Sequence, residues 1–172
     1  MNGMDMLPRN LVKDLGPGKL SVKASLDEGA SGEYDYMTDT MTLSHKKIKT
    51  YTPQQLRAIM WHEIAHWLYY SAQLNPKASP ALKAWRAKID AHWASRTKGE
   101  IIGKHQSEWK YIRDGWISDY AGRLYPGQDG GIEIPSVYLE KAALGPDQLA
   151  LWCEQFPNEK ETFDIALSLF EK

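Results

Sequence analysis

A chain of 172 residues with a formal net charge of −1 and one cysteine is long enough for a single domain with a substantial core, and its charge gives no global basic field for nucleic acid. Cys153 alone forms no internal disulfide and fits a reducing compartment. The opening MNGMDMLPRN lacks the apolar run of a secretory signal, and no stretch approaches the roughly 20 apolar residues of a membrane span, so a cytoplasmic location without a membrane partner is expected.

Residues 1–18, with Pro8, Gly16, Pro17 and Gly18, read as an irregular lead-in to one domain spanning 1–172. Leu20 to Leu26 alternates as a strand should, and Glu33 to Met37 and Thr40 to Ser44 form β-prone runs around Thr38-Asp39, predicting a hairpin. Lys46, Lys47 and Lys49 make a short basic run of the kind usually solvated. Thr52-Pro53-Gln54-Gln55 then supplies an N-cap, a Pro at the first helical position and a Gln three after the cap, and the apolar spacing of Leu56, Ile59, Met60, Trp67 and Tyr70 predicts a helix to about residue 73.

Ser79-Pro80 repeats the cap signal and opens a helix carrying Leu82, Trp85, Ile89 and Trp93, with His92 structural or exposed. Residues 97–107 are polar and Gly-punctuated, a loop or lid in which His105 is a minor metal candidate. Trp109, Ile112, Trp116 and Ile117 predict a helix over 108–120, followed by a loop at 126–131. A helix from about Pro135 stops at Gly145-Pro146, and two more follow, the last opening at Asn158-Glu159. There are no internal repeats, and the seven Trp and nine Tyr are expected mainly in the core, with a few lining a cleft. The expected class is α+β, mostly helical, with a small N-terminal β-sheet.

Within the first long helix stands His62-Glu63-Ile64-Ala65-His66, an HExxH segment. Positions four apart share a helix face, so His62 and His66 can offer two imidazoles to one zinc ion, while Glu63 sits beside them, placed to take a proton from an activated water. The bland alternative is two packed histidines and a surface Glu; a chance HExxH arises in roughly one chain of this size in a few hundred, and more rarely inside a capped helix. The motif therefore predicts a zincin-like domain built on an HExxH active-site helix.

Catalytic zinc usually takes three protein ligands. The HExxHxxGxxH extension fails, since Tyr69 stands in place of its Gly and Ala72 in place of its third His; Cys153 lies in an unrelated context, and a di-iron site lacks its second ExxH. Residues 80–94 hold only Asp90 as a carboxylate.

The distal segment Asp114 to Tyr125, followed by Glu133-Ile-Pro-Ser136-Val-Tyr-Leu-Glu140, resembles the end of HExxH-bearing domains in bacteriophage minor head and head-morphogenesis proteins. The closing Phe-Pro-Asn-Glu-Lys-Glu-Thr-Phe-Asp is similar to that family's end, and the resemblance covers roughly residues 33–170. The order HExxH, Tyr, Glu is also similar to the gluzincin catalytic domain of anthrax lethal factor. These resemblances imply Glu133 as third zinc ligand and Tyr125 as support for the oxyanion, with a phage structural protein as a possible partner and virion association as a possible location. Pro135 places Glu133 at or just before a helix start; Glu140 and Asp119 remain alternative ligands, or partners of a ligating His.

The implied activity is zinc-dependent hydrolysis of a protein or peptide, with Glu63 as general base and Tyr125 or Tyr120 as oxyanion donor. The Thr40-Met41-Thr42-Leu43 stretch, as an exposed sheet edge, is expected to bind substrate as an added strand. A zinc-containing assembly module and a metal-independent interaction domain are the competing classes.

Overall fold

The computed structural model describes residues 20–25, 30–97, 103–105, 109–112, 116–125 and 130–170. The expected lead-in at 1–18 and most of the expected loop at 97–107 lie outside these. The described residues form an α+β arrangement that is mainly helical, and no helix among them is long and apolar enough to cross a membrane.

The N-terminal sheet holds β1 (Ser21–Ser25), β2 (Gly32–Asp35) and β3 (Thr40–Ser44) in the order β1-β3-β2. β2 and β3 form the predicted hairpin, with Tyr34 opposite Met41. Its turn is tied by Asp35, which accepts from the Met37 amide at 2.9 Å and the Thr38 hydroxyl at 2.7 Å, and Asp39 takes the left-handed φ of 49°. β1 joins β3 in parallel on the other side. The expectation for β3 is thereby corrected: Thr40, Met41, Thr42 and Leu43 lie on a central strand paired on both flanks, with Thr40, Met41 and Leu43 buried, so they have no edge to offer a substrate.

Ser44 caps a short helix, α1 (His45–Ile48), that the sequence reading did not anticipate. The motif helix, α2 (Pro53–Leu74), has the predicted capping box, with Thr52 Oγ1 accepting from the Gln55 amide at 3.2 Å and Gln55 Oε1 accepting from the Thr52 amide at 2.9 Å. α3 (Pro80–Arg96) starts as expected, capped by Ser79.

The predicted helix over 108–120 is not formed. β5 (Trp109–Tyr111) pairs antiparallel with β4 (Gly103–His105) on one side and with β6 (Arg123–Leu124) on the other, and residues Asp119–Gly122 make one 3-10 turn. Aromatic and β-branched residues at 109–112 suit a strand as well as a helical stripe, and the Ile112 amide extends the pairing to the Gly122 carbonyl at 2.9 Å. His105 lies on β4 rather than in a loop; its side chain is outside the described residues.

α4 (Glu133–Ala142) begins two residues before the expected Pro135. A Pro in the first turn removes an amide that has no intrahelical acceptor there, so it does not delay the helix. α5 (Pro146–Gln155), a 3-10 turn at Pro157–Glu159 and α6 (Lys160–Leu167) complete the chain.

α2 is the centre of the core and packs most extensively on α4, with the hairpin and α3 on its other sides. Ile64, Ala65 and Leu68 of α2, Leu82, Trp85 and Ile89 of α3, Ile134 and Tyr138 of α4 and Phe163 of α6 are nearly solvent-free. Each such large side chain contributes about 1.5–3 kcal/mol by burial. α6 is tied in by buried polar contacts: Arg96 pairs with Glu159 at 2.7 Å, Tyr138 donates to the same carboxylate, and the His92 ring meets the Thr162 hydroxyl at 2.9 Å. His92 is thus structural, as one of its two readings had it.

Candidate metal centre

The packing of α2 on α4 brings together His62, His66 and Glu133, whose ligand atoms all lie within 4.8 Å of one another. Glu133 is fully buried, and its Oε2 stands 3.5 Å from His62 Nε2 and 3.3 Å from His66 Nε2. Charge-assisted hydrogen bonds of this kind are normally about 2.7–2.9 Å. Ligands at about 2.0–2.2 Å from a tetrahedral zinc are instead about 3.3–3.5 Å apart, so these separations, and the two-imidazole, one-carboxylate donor set, fit a zinc ion.

Two neighbours hold Glu133. Ser136, one helical turn on, donates from its hydroxyl to Oε2 at 2.7 Å, and Tyr125 donates to Oε1. Burial pushes this carboxyl's pKa up, but the contact with His66, the imidazole charges and the Tyr125 hydrogen bond together hold it well below the usual carboxylate range. Ahead of it, Gly131 takes a φ of 91° that an L side chain rarely adopts, and a Cβ there would lie 3.1 Å from the Trp93 side chain. That turn delivers the chain to the start of α4 with Glu133 facing α2.

Glu140, two turns along α4, accepts from His62 Nδ1 at 2.9 Å and pairs with Lys141 at 3.0 Å. A carboxylate on Nδ1 fixes the tautomer that presents Nε2, so Glu140 orients His62 rather than completing the cluster. Asp119 is exposed on its 3-10 turn and does not join the cluster.

Glu63 is buried, unlike the surface Glu of the bland alternative, and is not one of the three clustered ligands. Burial pushes its carboxyl up to about 7, with the charges of Glu133, Glu33 and Glu140 adding and that of His62 opposing. β2 passes directly over it: a Cβ at Gly32 would lie 2.7 Å from Glu63 Oε1. Only glycine permits that approach. Neither Gly32 nor Ser136 is assigned a role by the sequence reading; the Glu-x-x-Ser spacing is a signal for the second, while none exists for the first.

Tyr120 lies beside the pair, its ring 5.8 Å from that of His62, and its hydroxyl accepts from Arg123 Nη1 at 3.0 Å. Burial and the Glu133 charge push its pKa up, as they do for Tyr125, so both phenols stay protonated at neutral pH. A cleft of about 380 Å³, lined by Gly32, Ile59, His62, Glu63, Tyr120 and Glu140, opens onto the cluster.

No protein-family model, curated protein or solved structure matches the chain.

Proposed function

We propose that the chain is a zincin-like, zinc-dependent peptidase, cleaving peptide bonds at the His62, His66, Glu133 cluster. The observation that carries this reading is the buried Glu63 carboxylate, left out of the ligand set, beside a donor set that fits zinc and faces an open cleft. A zinc ion held by the three ligands supplies a water of lowered pKa and polarises the scissile carbonyl.

The protein's own groups do the rest. Glu63 accepts the proton of the attacking water and returns it to the leaving amine, a task suited to a carboxyl near neutrality. Tyr120, on the cleft wall with Arg123 on its oxygen, directs its hydroxyl hydrogen to the developing oxyanion; Tyr125 donates a hydrogen bond to Glu133 and so positions that ligand. Glu140 keeps His62 in the required tautomer.

The strand that meets substrate is β2. The Ser44 amide bonds the Ser31 carbonyl at 3.1 Å, so the antiparallel alternation turns Glu33 and Asp35 to β3 and leaves the amides and carbonyls of Gly32 and Tyr34 directed to the outer edge. An extended peptide added there passes over Glu63. The resemblance to phage head-morphogenesis domains makes a particle protein the first substrate to try.

Elemental analysis and a peptide-library cleavage assay test the proposal. About one zinc per wild-type chain is expected, lost in Glu133→Ala and kept in Glu63→Gln, with cleavage absent from both variants. Wild type that takes up no zinc after reconstitution overturns it.

A further inference from the structure

The same face of α2 that carries His62 and His66 continues through Tyr70 and Gln73, at three- to four-residue spacing. Beyond the cluster this face floors a cavity of about 730 Å³, lined by Tyr36, Tyr69, Tyr70, Leu74, Trp93 and Ile132 among others. It shares no lining residue with the cleft at the cluster, but its wall includes close chain neighbours of two ligands: Tyr69 and Tyr70 follow His66 by three and four residues, and Ile132 precedes Glu133. Tyr36, from the hairpin turn beyond β2, stacks on Tyr70 with ring centroids 4.7 Å apart. Hairpin and helix therefore run side by side from Gly32 over Glu63 to Tyr36 over Tyr70. Along α2, Ile59 on the cleft and Gln73 on this cavity stand about 21 Å apart, the span of about six extended residues.

We infer that this cavity is a specificity pocket for a bulky apolar or aromatic side chain one or two residues from the scissile bond. The inference rests on the peptidase reading and names the substrate class of that site. Two observations point to that occupant. The first is charge: Arg86 and Asp90 are the ionisable pair in the wall, and they neutralise each other at 3.3 Å, with Tyr69 donating to Asp90 at 2.5 Å and the Arg86 guanidinium 4.4 Å over the Tyr69 ring. Gln73 and Thr97 add neutral polar groups, so the wall combines aromatic faces with uncharged polar ones and carries no uncompensated charge. The second is exposure. Of the five large hydrophobic side chains that are exposed among the described residues, Tyr36 and Leu74 line the pocket and Met37, 81% exposed, sits beside Tyr36 on the turn at its mouth. Apolar surface gathered at one opening marks a binding site. One α-helical turn from His66 to Tyr70 advances about 6 Å, which is one or two residues of an extended peptide.

The test uses N-acetyl-phenylalanine, N-acetyl-alanine and N-acetyl-lysine hydroxamates on zinc-reconstituted protein, with acetohydroxamate as the bare metal ligand. The capped peptides acetyl-Gly-Phe-Gly-amide and acetyl-Gly-Ala-Gly-amide are run on metal-free protein by saturation-transfer NMR. The benzyl side chain is expected to tighten binding about tenfold or more over methyl, the lysine probe to show no such gain, and the Phe peptide alone to give transfer without metal. Tyr36→Ala and Leu74→Ser, both at exposed positions, are expected to erase most of the benzyl preference and leave acetohydroxamate binding unchanged, whereas Leu151→Ala, exposed on α5, changes neither. Equal affinity for benzyl and methyl, preference for the lysine probe, or a benzyl preference that survives both substitutions overturns the pocket while leaving the metal site standing. Acetohydroxamate failing to bind overturns the metal reading, and the metal-free peptide pair then decides the pocket alone.

Discussion

Replacing Glu63 with Gln should stabilise the metal-free protein, and the gain should depend on pH. The Glu63 carboxyl ordinarily titrates near 4.5 and is raised to about 7 in the folded chain, first by burial and then by neighbouring carboxylates. Between those values the folded state binds a proton that the unfolded state has released, so this group's contribution to stability is fully present below about 4.5 and is lost as pH rises through 7. The gap corresponds to roughly 3 kcal/mol. A Gln side chain carries no such charge, and the other titrating groups are common to both proteins and cancel in the difference. In EDTA, urea unfolding followed by Trp fluorescence should place Glu63→Gln roughly 3 kcal/mol above wild type at pH 8, about 6–12 °C in Tm, and close to it at pH 4.5. With zinc restored, the stabler variant should cleave no peptide. A stability difference that is the same at both pH values, or a variant less stable at pH 8, would refute the placement of a desolvated carboxyl at this position.

Gly32→Ala should keep zinc and lose activity by about tenfold to a hundredfold in kcat, because the added Cβ lies 2.7 Å from Glu63 Oε1 and must displace it; metal content and steady-state kinetics check both halves. The two tyrosines should separate: Tyr120→Phe lowers kcat by about 10²–10³ with zinc affinity unchanged, whereas Tyr125→Phe, which removes the hydrogen bond to Glu133, weakens zinc binding about 10–100-fold in a chelator competition. Arg96→Ala should destabilise by about 3–5 kcal/mol in urea, since it strands the Glu159 carboxylate at 1% exposure with only the Tyr138 and Thr162 hydroxyls, and it should leave zinc stoichiometry in the folded protein unaltered.

What the sequence discloses follows the range of the interactions concerned. The starts of α2 and α3 are legible because a cap is a bond between residues three apart, and the hairpin because its turn is made by its own Asp35 and Asp39. His62 and His66 share a face by helix geometry alone. Glu133 is a different case: sixty-seven positions beyond His66, it reaches the cluster only because α4 packs on α2, and nothing local distinguishes it from Asp119 or Glu140. The hydrogen bonds of Ser136 and Tyr125 on one carboxylate, and of His62 on the other, separate the roles. The central place of β3 is not legible in the sequence because strand order is a long-range property, set here by β1 lying in parallel beside it. The segment over 108–120 is ambiguous in sequence because Trp109 and Tyr111 alternate at a period of two while Trp109, Ile112 and Trp116 keep the helical spacing, and pairing with β4 and β6 decides between them.

The arrangement of carboxylates bears on whether a bound ion would serve structure or chemistry. Glu63, Glu133 and Glu140 converge on two imidazoles, with Glu133 fully buried and Glu63 nearly so. Burying negative charge in such density is unfavourable unless a cation balances it. For stability alone, the economical solution is a closed shell in which every acid nearby is a ligand, and structural zinc sites are closed in that way. Here the described residues supply three clustered donors and then bury a fourth acid against them, held short of the cluster under the Gly32 backbone and facing a cleft. That placement destabilises the metal-free fold, as the pH dependence above would measure, and gives no added ligand in return. A proton acceptor tuned near neutrality is the use that accounts for its position, which is why we favour peptide hydrolysis over an assembly module that keeps zinc only for its fold.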